Sequence, residues 1–65
     1  MFSKMLKELR GSKGLSQSEL AKLLGVTKQN ISDWEKGTVE PNANAIIACA
    51  TFFDVSADYL LGLEK

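Results

Sequence analysis

The 65 residues of this chain carry eight basic and eight acidic side chains, so the net charge is zero and the length suffices for one small domain. The hydrophobic share is 45%, yet no apolar run nears the roughly 18 residues that cross a bilayer and no secretory pattern begins the chain, which predicts a cytoplasmic protein. A single cysteine and no histidine exclude an internal disulfide and leave zinc short of ligands, so no metal or other cofactor is expected.

The first predicted helix covers about residues 2 to 12. Phe2, Met5, Leu6 and Leu9 follow the spacing i, i+3, i+4 and i+7, which places them on one face of a helix. This apolar stripe predicts a helix that packs against the core of the domain.

The second predicted helix begins after Ser16 and ends near Leu24. Ser16 and Glu19 match the S-x-x-E capping box, in which each side chain binds the backbone N–H of the other residue. Gly25 follows, and a short turn between helices often needs glycine because a positive φ then has no steric cost. We also expect small side chains where two helices approach each other, and Ala21 and Gly25 lie at those positions.

The third predicted helix runs from about Lys28 to Lys36, with Thr27 as its N-cap and Gly37 as its stop. Helices 2 and 3 should share one core, because their hydrophobic residues fall on facing sides. Two short helices joined by a tight turn are the layout of a DNA-binding helix-turn-helix. The shared core residues are Leu20, Leu24, Val26, Ile31 and Trp34.

Two further helices complete an all-α prediction. Residues 38–41 form a loop, since the residue before Pro41 disfavours the α conformation. The fourth helix starts after Asn42, and the fifth starts after Ser56 and runs to Gly62. The fourth helix is expected to bury Ile46, Cys49, Ala50 and Phe53.

This order of elements resembles the Cro/CI-type, or XRE-like, helix-turn-helix family of phage repressors and bacterial regulators. The resemblance covers nearly the whole chain and implies a compact five-helix lambda-repressor-like DNA-binding domain over residues 1–65. Its helix-turn-helix core is 17–36, and the chain also fits the N-terminal domain of a longer regulator. The segments that carry the resemblance are this core, Leu6 to Arg10, WEKG at 34–37, Pro41 and FFDVSADYLLG at 52–62.

The resemblance implies a sequence-specific transcriptional regulator that binds double-stranded DNA with helix 3 in the major groove, and it favours repression. A surplus of apolar side chains near the C-terminus predicts a homodimer on a near-palindromic operator, with recognition helices about 34 Å apart. The alternative is that these side chains merely close the core. They are Ile47, Phe52, Tyr59, Leu61 and Leu63.

Four polar residues on helix 3 are candidates for base contacts. Residues near the N-terminus of a recognition helix reach deepest into the groove, which favours Lys28, Gln29 and Asn30, followed by Asp33 one turn later. Gln29 can bind adenine with two hydrogen bonds, and Lys28 suits guanine O6 and N7. Asp33 can accept from cytosine N4, but it can equally be a solvated charge near Lys28 or Lys36.

Phosphate contacts are expected from the edges of the motif, at positions that commonly touch phosphates in the family. Ser16 and Gln17 lie at the N-terminus of helix 2, where exposed amides favour an anion. Lys36 and Thr38 lie at the end of helix 3 and just beyond it. Lys36 also has a structural alternative, because a lysine at a helix C-terminus complements the helix dipole.

Other polar and aromatic residues are assigned to structure. The resemblance implies an ion pair between Arg10 and Glu35 that links helix 1 to helix 3, with a direct phosphate contact of Arg10 as the alternative. Trp34 shares the core phase of Ile31, and Cys49 is expected to act as a small buried hydrophobe rather than as a redox switch.

Two other classes of function are alternatives to DNA binding. No histidine, phosphate-binding glycine loop or paired carboxylates point to an enzyme, and no pocket for a small molecule is evident. A protein-interaction module of antitoxin-like or coactivator-like type is the alternative, because the net charge is zero where DNA-binding domains are often basic. The polar residues at the start of helix 3 favour DNA, since protein-docking surfaces carry apolar anchors.

Overall fold

The computed structural model describes residues 2–63, which form five α-helices and no β-strand. Residue 1 and residues 64–65 of the predicted domain lie outside the described residues. Within residues 2–63, no helix is long and apolar enough to cross a bilayer, and the longest helices have 11 residues. The helices are α1 (Phe2–Ser12), α2 (Gln17–Leu24), α3 (Lys28–Lys36), α4 (Ala43–Phe53) and α5 (Ala57–Leu60).

Side-chain caps start four of the helices where the sequence predicts them. The backbone N–H of Glu19 donates to the hydroxyl of Ser16 at 3.0 Å, and the backbone N–H of Ser16 donates to the Glu19 carboxylate at 2.8 Å. Thr27, Asn42 and Ser56 each accept the N–H of the residue three positions later, at 2.8 to 3.0 Å. Each cap satisfies an N–H group that has no partner inside its helix.

Left-handed residues end α2 and α3 and turn the chain. Gly25 ends α2 with φ of 73° and Gly37 ends α3 with φ of 77°, as the sequence predicts. The second role expected of Gly25 is wrong: a Cβ added there would meet no atom within 4 Å, so conformation and not close helix approach requires glycine. α5 ends at Leu60, earlier than predicted, because Gly62 with φ of 76° belongs to a turn.

One apolar core lies between the helices, with α3 packed against both α1 and α2. The rings of Phe2 and Trp34 meet edge to face, with centroids 6.3 Å apart. Four residues expected in this core, Leu24, Val26, Ile46 and Ala50, are only half-buried and pack against its edge. The buried residues are Phe2, Leu6, Leu20, Ala21, Ile31, Trp34, Cys49, Phe53 and Leu60.

The apolar surplus near the C-terminus is smaller than the sequence predicts. Phe52 packs edge to face on Phe53 at 5.0 Å, and the ammonium of Lys13 lies 5.9 Å from the centre of the Phe52 ring. Leu61 also packs against the core. Core packing therefore accounts for Phe52 and Leu61. The side chains that stay exposed are Ile47 (60%), Tyr59 (38%) and Leu63 (69%).

Candidate nucleic-acid interface

The outer face of α3 is polar, and its inner face is fixed in the core. Ile31 and Trp34 are buried on the inner side, so α3 cannot rotate about its axis without exposing them. Lys28, Gln29 and Asn30 are exposed at the N-terminal end of the helix. Hydrogen-bonding side chains therefore stand on the solvent side of a rigidly seated helix.

Gln29 and Asp33 lie together on this outer face, one turn apart. The side-chain nitrogen Nε2 of Gln29 donates to Oδ1 of Asp33 at 2.8 Å. Asp33 as a whole residue is half-buried and Gln29 is exposed, and the bond between them lies at the surface. The sequence predicts for Asp33 either a base contact or a solvated charge near a lysine. The hydrogen bond with Gln29 is a third kind of contact.

Asn30 faces the start of α4, whereas Gln29 contacts Asp33 within α3. Its backbone N–H donates to the Thr27 cap, and its side chain lines a shallow groove between α3 and the start of α4. Asn42 and Asn44 line the same groove. The sequence predicts only a capping role for Asn42 and none for Asn44, although two asparagines that flank a helix start indicate a polar surface. These amides extend the polar surface of α3 onto α4.

Two of the phosphate candidates lie at the start of α2. Gln17 is half-buried, and its Nε2 donates to Oε1 of Glu35 at 3.1 Å. Ser16 is exposed; its side-chain oxygen accepts the backbone N–H of Glu19, and its backbone N–H donates to the Glu19 carboxylate. Hydrogen bonds from the backbone and side chain of Ser16 lower the pKa of the Glu19 carboxyl, so a negative charge stands beside these candidates.

The other two phosphate candidates lie at the end of α3. Lys36 is the exposed last residue of the helix. The hydroxyl of Thr38 donates to the backbone oxygen of Asp33 at 3.3 Å, and the backbone N–H of Thr38 donates to the same oxygen at 3.1 Å. A phosphate contact from the Thr38 hydroxyl would therefore require its single proton to leave the helix cap.

A bidentate ion pair joins α1 to α3. Arg10 Nε donates to Glu35 Oε2 at 2.6 Å, and Arg10 Nη2 donates to Glu35 Oε1 at 3.1 Å. Arg10 Nη1 also donates to the backbone oxygen of Leu15 at 2.8 Å. The Glu35 side chain is 4% exposed and the Arg10 side chain is 18% exposed. With these donors committed inside the protein, Arg10 holds helices together at this site.

Charge and hydrogen bonding keep the Glu35 carboxylate ionised. Burial raises the pKa of Glu35. The hydrogen bonds from Arg10 and Gln17, with the positive charges of Arg10 and Lys7, lower it by more, so the pKa lies below its ordinary value. The hydrogen bond to Glu35 raises the pKa of Arg10 in turn. Residues of α1, α2 and α3 thus meet at one carboxylate, which fixes the position of α3 relative to the start of α2.

Cys49 plays no part in this surface. Its side chain has no exposed area, and burial raises the pKa of its thiol to about 11, so the neutral thiol is the form present at neutral pH. It packs as a small apolar side chain in the core, as the sequence predicts.

Comparisons of sequence agree with this architecture. A helix-turn-helix family model matches residues 6–60. The chain is 39% identical over 61 residues to the SPbeta prophage-derived HTH-type transcriptional regulator YonR of Bacillus subtilis, covering 94% of this chain and 56% of that protein. It is also 39% identical over 64 residues to the HTH-type transcriptional activator BcrR of Enterococcus faecalis, covering 98% of this chain and 31% of that protein. The chain thus spans about half or less of these relatives.

A solved structure matches nearly the whole fold. The P22 c2 repressor, crystallised with a synthetic operator, superposes with a TM-score of 0.90 at 30% sequence identity. The match covers 98% of this chain and 97% of that chain. The predicted lambda-repressor-like fold is confirmed, with α2 and α3 as its helix-turn-helix. The chain belongs to the helix-turn-helix family of Cro/CI-type, or XRE-like, transcriptional regulators.

Proposed function

We propose that this protein binds double-stranded DNA at specific sequences and regulates transcription by placing α3 in the major groove. The observation that carries the proposal is the pairing of an exposed polar face on α3 with an inner face anchored by Ile31 and Trp34. With its side chains an α-helix is about 10–12 Å across, which a major groove about 12 Å wide admits. Support comes from the similarity to the P22 c2 repressor with its operator.

The base contacts in this proposal come from the start of α3. Gln29 offers a donor and an acceptor to adenine, and Lys28 offers donors to guanine. Asn30 reaches bases at the side of the helix that borders α4, where Asn42 and Asn44 continue the polar surface. Asp33, the fourth residue that the sequence predicts for base contact, lies one turn after Gln29 and accepts its side-chain N–H.

The phosphate contacts frame the recognition helix on both sides. Ser16 and Gln17 supply donors at the N-terminus of α2, where the helix dipole favours an anion. Lys36 supplies a positive charge at the end of α3, and Thr38 supplies a hydroxyl once its bond to the α3 cap is released. Such contacts set the register of the protein on the duplex without selecting bases.

The proposed regulator is a homodimer on a near-palindromic operator. Ile47, Tyr59 and Leu63 keep their apolar side chains exposed, and a second copy can cover them. The similarity to the P22 c2 repressor favours repression, by occupation of a promoter. The described residues act as one DNA-binding unit. The protein works in the cytoplasm and lies at the nucleoid when it is bound to DNA. Its activity is binding, without catalysis.

Selection of bound duplexes from a random DNA pool tests this proposal, with affinity for the selected sequence measured at two salt concentrations. We expect an enriched, two-fold symmetric motif and an affinity that falls steeply as salt rises, because bound lysines release counterions from the phosphates. A pool that shows no enrichment would contradict the proposal and favour the protein-interaction module.

A further inference from the structure

The hydrogen bond between Gln29 and Asp33 removes an ambiguity from the recognition surface. A glutamine amide has an acceptor on one side and two N–H donors on the other, and a free amide can turn by 180° to exchange them. A carboxylate oxygen accepts hydrogen bonds but donates none. With Gln29 Nε2 2.8 Å from Asp33 Oδ1, the turned amide would oppose two acceptor oxygens. Asp33 therefore favours one amide orientation.

The carboxylate that makes this contact stands on a fixed backbone. The backbone oxygen of Asp33 accepts from both the backbone N–H and the hydroxyl of Thr38, at 3.1 and 3.3 Å. Asp33 as a whole residue is half-buried, Gln29 is exposed, and the hydrogen bond between them lies at the surface. The pair thus joins an acceptor on a fixed backbone to an exposed amide.

The orientation that remains matches one purine. One Gln29 N–H is used by Asp33, which leaves one N–H and the oxygen Oε1 for a base edge. Adenine needs that pair, because its N7 accepts and its N6 amino group donates. Guanine offers two acceptors, N7 and O6, and one of them would oppose the Gln29 oxygen.

We infer that Asp33 is a positioning residue, which selects adenine over guanine by holding the Gln29 amide and does not itself contact a base. This inference rests on the proposed function. It also accounts for a carboxylate on a surface that approaches phosphates, where a negative charge is otherwise unfavourable. Exclusion of water from the docked interface strengthens the hydrogen bond to Asp33.

A double-mutant cycle on the selected operator tests this role. In Asp33→Ala, the preference for adenine over guanine at the base pair of Gln29 should fall roughly threefold to tenfold. Preferences at other base pairs should stay the same, and Asp33→Asn should have a smaller effect because its oxygen can still accept. In the Gln29→Ala background, the change at position 33 should alter no base preference. Glu8→Ala, which removes the same charge from the exposed face of α1, is the matched control.

Two results of the cycle would overturn the inference. A change of preference at a different base pair, or one that persists without Gln29, would mean that Asp33 contacts a base directly. An unchanged preference at the Gln29 base pair would mean that Asp33 does not orient the amide.

A measurement without DNA separates this inference from the proposed function. In nuclear magnetic resonance spectra of the free protein, Asp33→Ala should shift the side-chain amide signals of Gln29, while Glu8→Ala should leave them in place. Unmoved Gln29 signals would overturn the positioning role whatever the DNA result. A wild-type protein that enriches no DNA motif would instead overturn the proposed function and, with it, the base preference.

Discussion

The two parts of this domain share one apolar core, but only the helix-turn-helix part adds directional bonds to a buried carboxylate. In the helix-turn-helix part, directional bonds to the Glu35 carboxylate join α1, α2 and α3. In the C-terminal part, burial of side chains such as Cys49 and Leu60 seats α4 and α5, and within residues 2–63 neither helix takes part in an ion pair. Directional bonds fix the angle of a recognition helix. Burial alone holds a helix in place, and its outer apolar surface can then contact a second copy of the protein.

Leu60→Ala should give the largest loss of stability and act through the C-terminal part. The side chain has no exposed area, so its removal leaves a cavity and should lower the free energy of unfolding by about 2–5 kcal/mol. Urea denaturation followed by circular dichroism measures this loss. Leu63→Ala, at an exposed site, is the control. Equal effects of the two substitutions would contradict the burial account of α5.

Glu35→Ala should have a smaller effect and act through the helix-turn-helix part. A fully buried partner left unpaired costs roughly 3–5 kcal/mol, and because Arg10 is 18% exposed we expect about 2 kcal/mol. The same denaturation experiment measures this, with Glu40→Ala at an exposed position as control. A loss below that of the control would mean that the ion pair does not hold α3.

Acidification should weaken the same part of the molecule. The pKa of Glu35 is lowered on folding, so its contribution to stability is present above the ordinary value of 4.5 and is lost as the pH falls through the folded pKa. The pKa of Glu19 is also lowered, so its contribution to stability is likewise lost as the pH falls. Wild type should therefore lose more stability than Glu35→Gln between neutral and acid pH. A constant difference between the two across this range would contradict the prediction.

Ile47→Asp should affect association and leave folding nearly intact. Ile47 is 60% exposed, so the change removes little core packing, but it places a charge where the proposed dimer is apolar. Cooperative binding to a two-fold operator should weaken about tenfold, in the range of a disrupted interface residue. Band-shift titration measures the cooperativity, with Thr51→Asp as an exposed control on the same helix. Equal cooperativity in wild type and Ile47→Asp would place the dimer contact elsewhere.

Local chemistry explains which features the sequence predicts well. A helix start depends on a capping side chain that accepts the N–H of the residue three positions later, as Ser16 does for Glu19. Both residues lie in one short segment, so the sequence alone reveals the signal. The depth of burial depends on how whole helices pack, which is why Leu24 and Ile46 are less buried than the sequence predicts. The contact between Arg10 and Glu35 spans 25 positions, so the family resemblance predicted it and spacing could not.

The candidate interface divides in the same way. The exposure of Lys28 and Gln29 follows from helical phase, which the sequence gives directly. The bonds from Gln29 to Asp33 and from Gln17 to Glu35 depend on side-chain conformations that are set by neighbouring helices. Helical phase therefore predicts which residues form the surface, but it does not predict the orientation of their amides.

The most direct test of the central claim compares the DNA sequences selected by wild type, Gln29→Ala and Lys36→Ala. We expect Gln29→Ala to lower affinity by about 1–3 kcal/mol and to relax the preference at one base pair of each half-site. Lys36→Ala should weaken binding to all sequences alike and reduce the salt dependence by about one unit. An unchanged base preference in Gln29→Ala would contradict the assignment of the α3 face to base recognition.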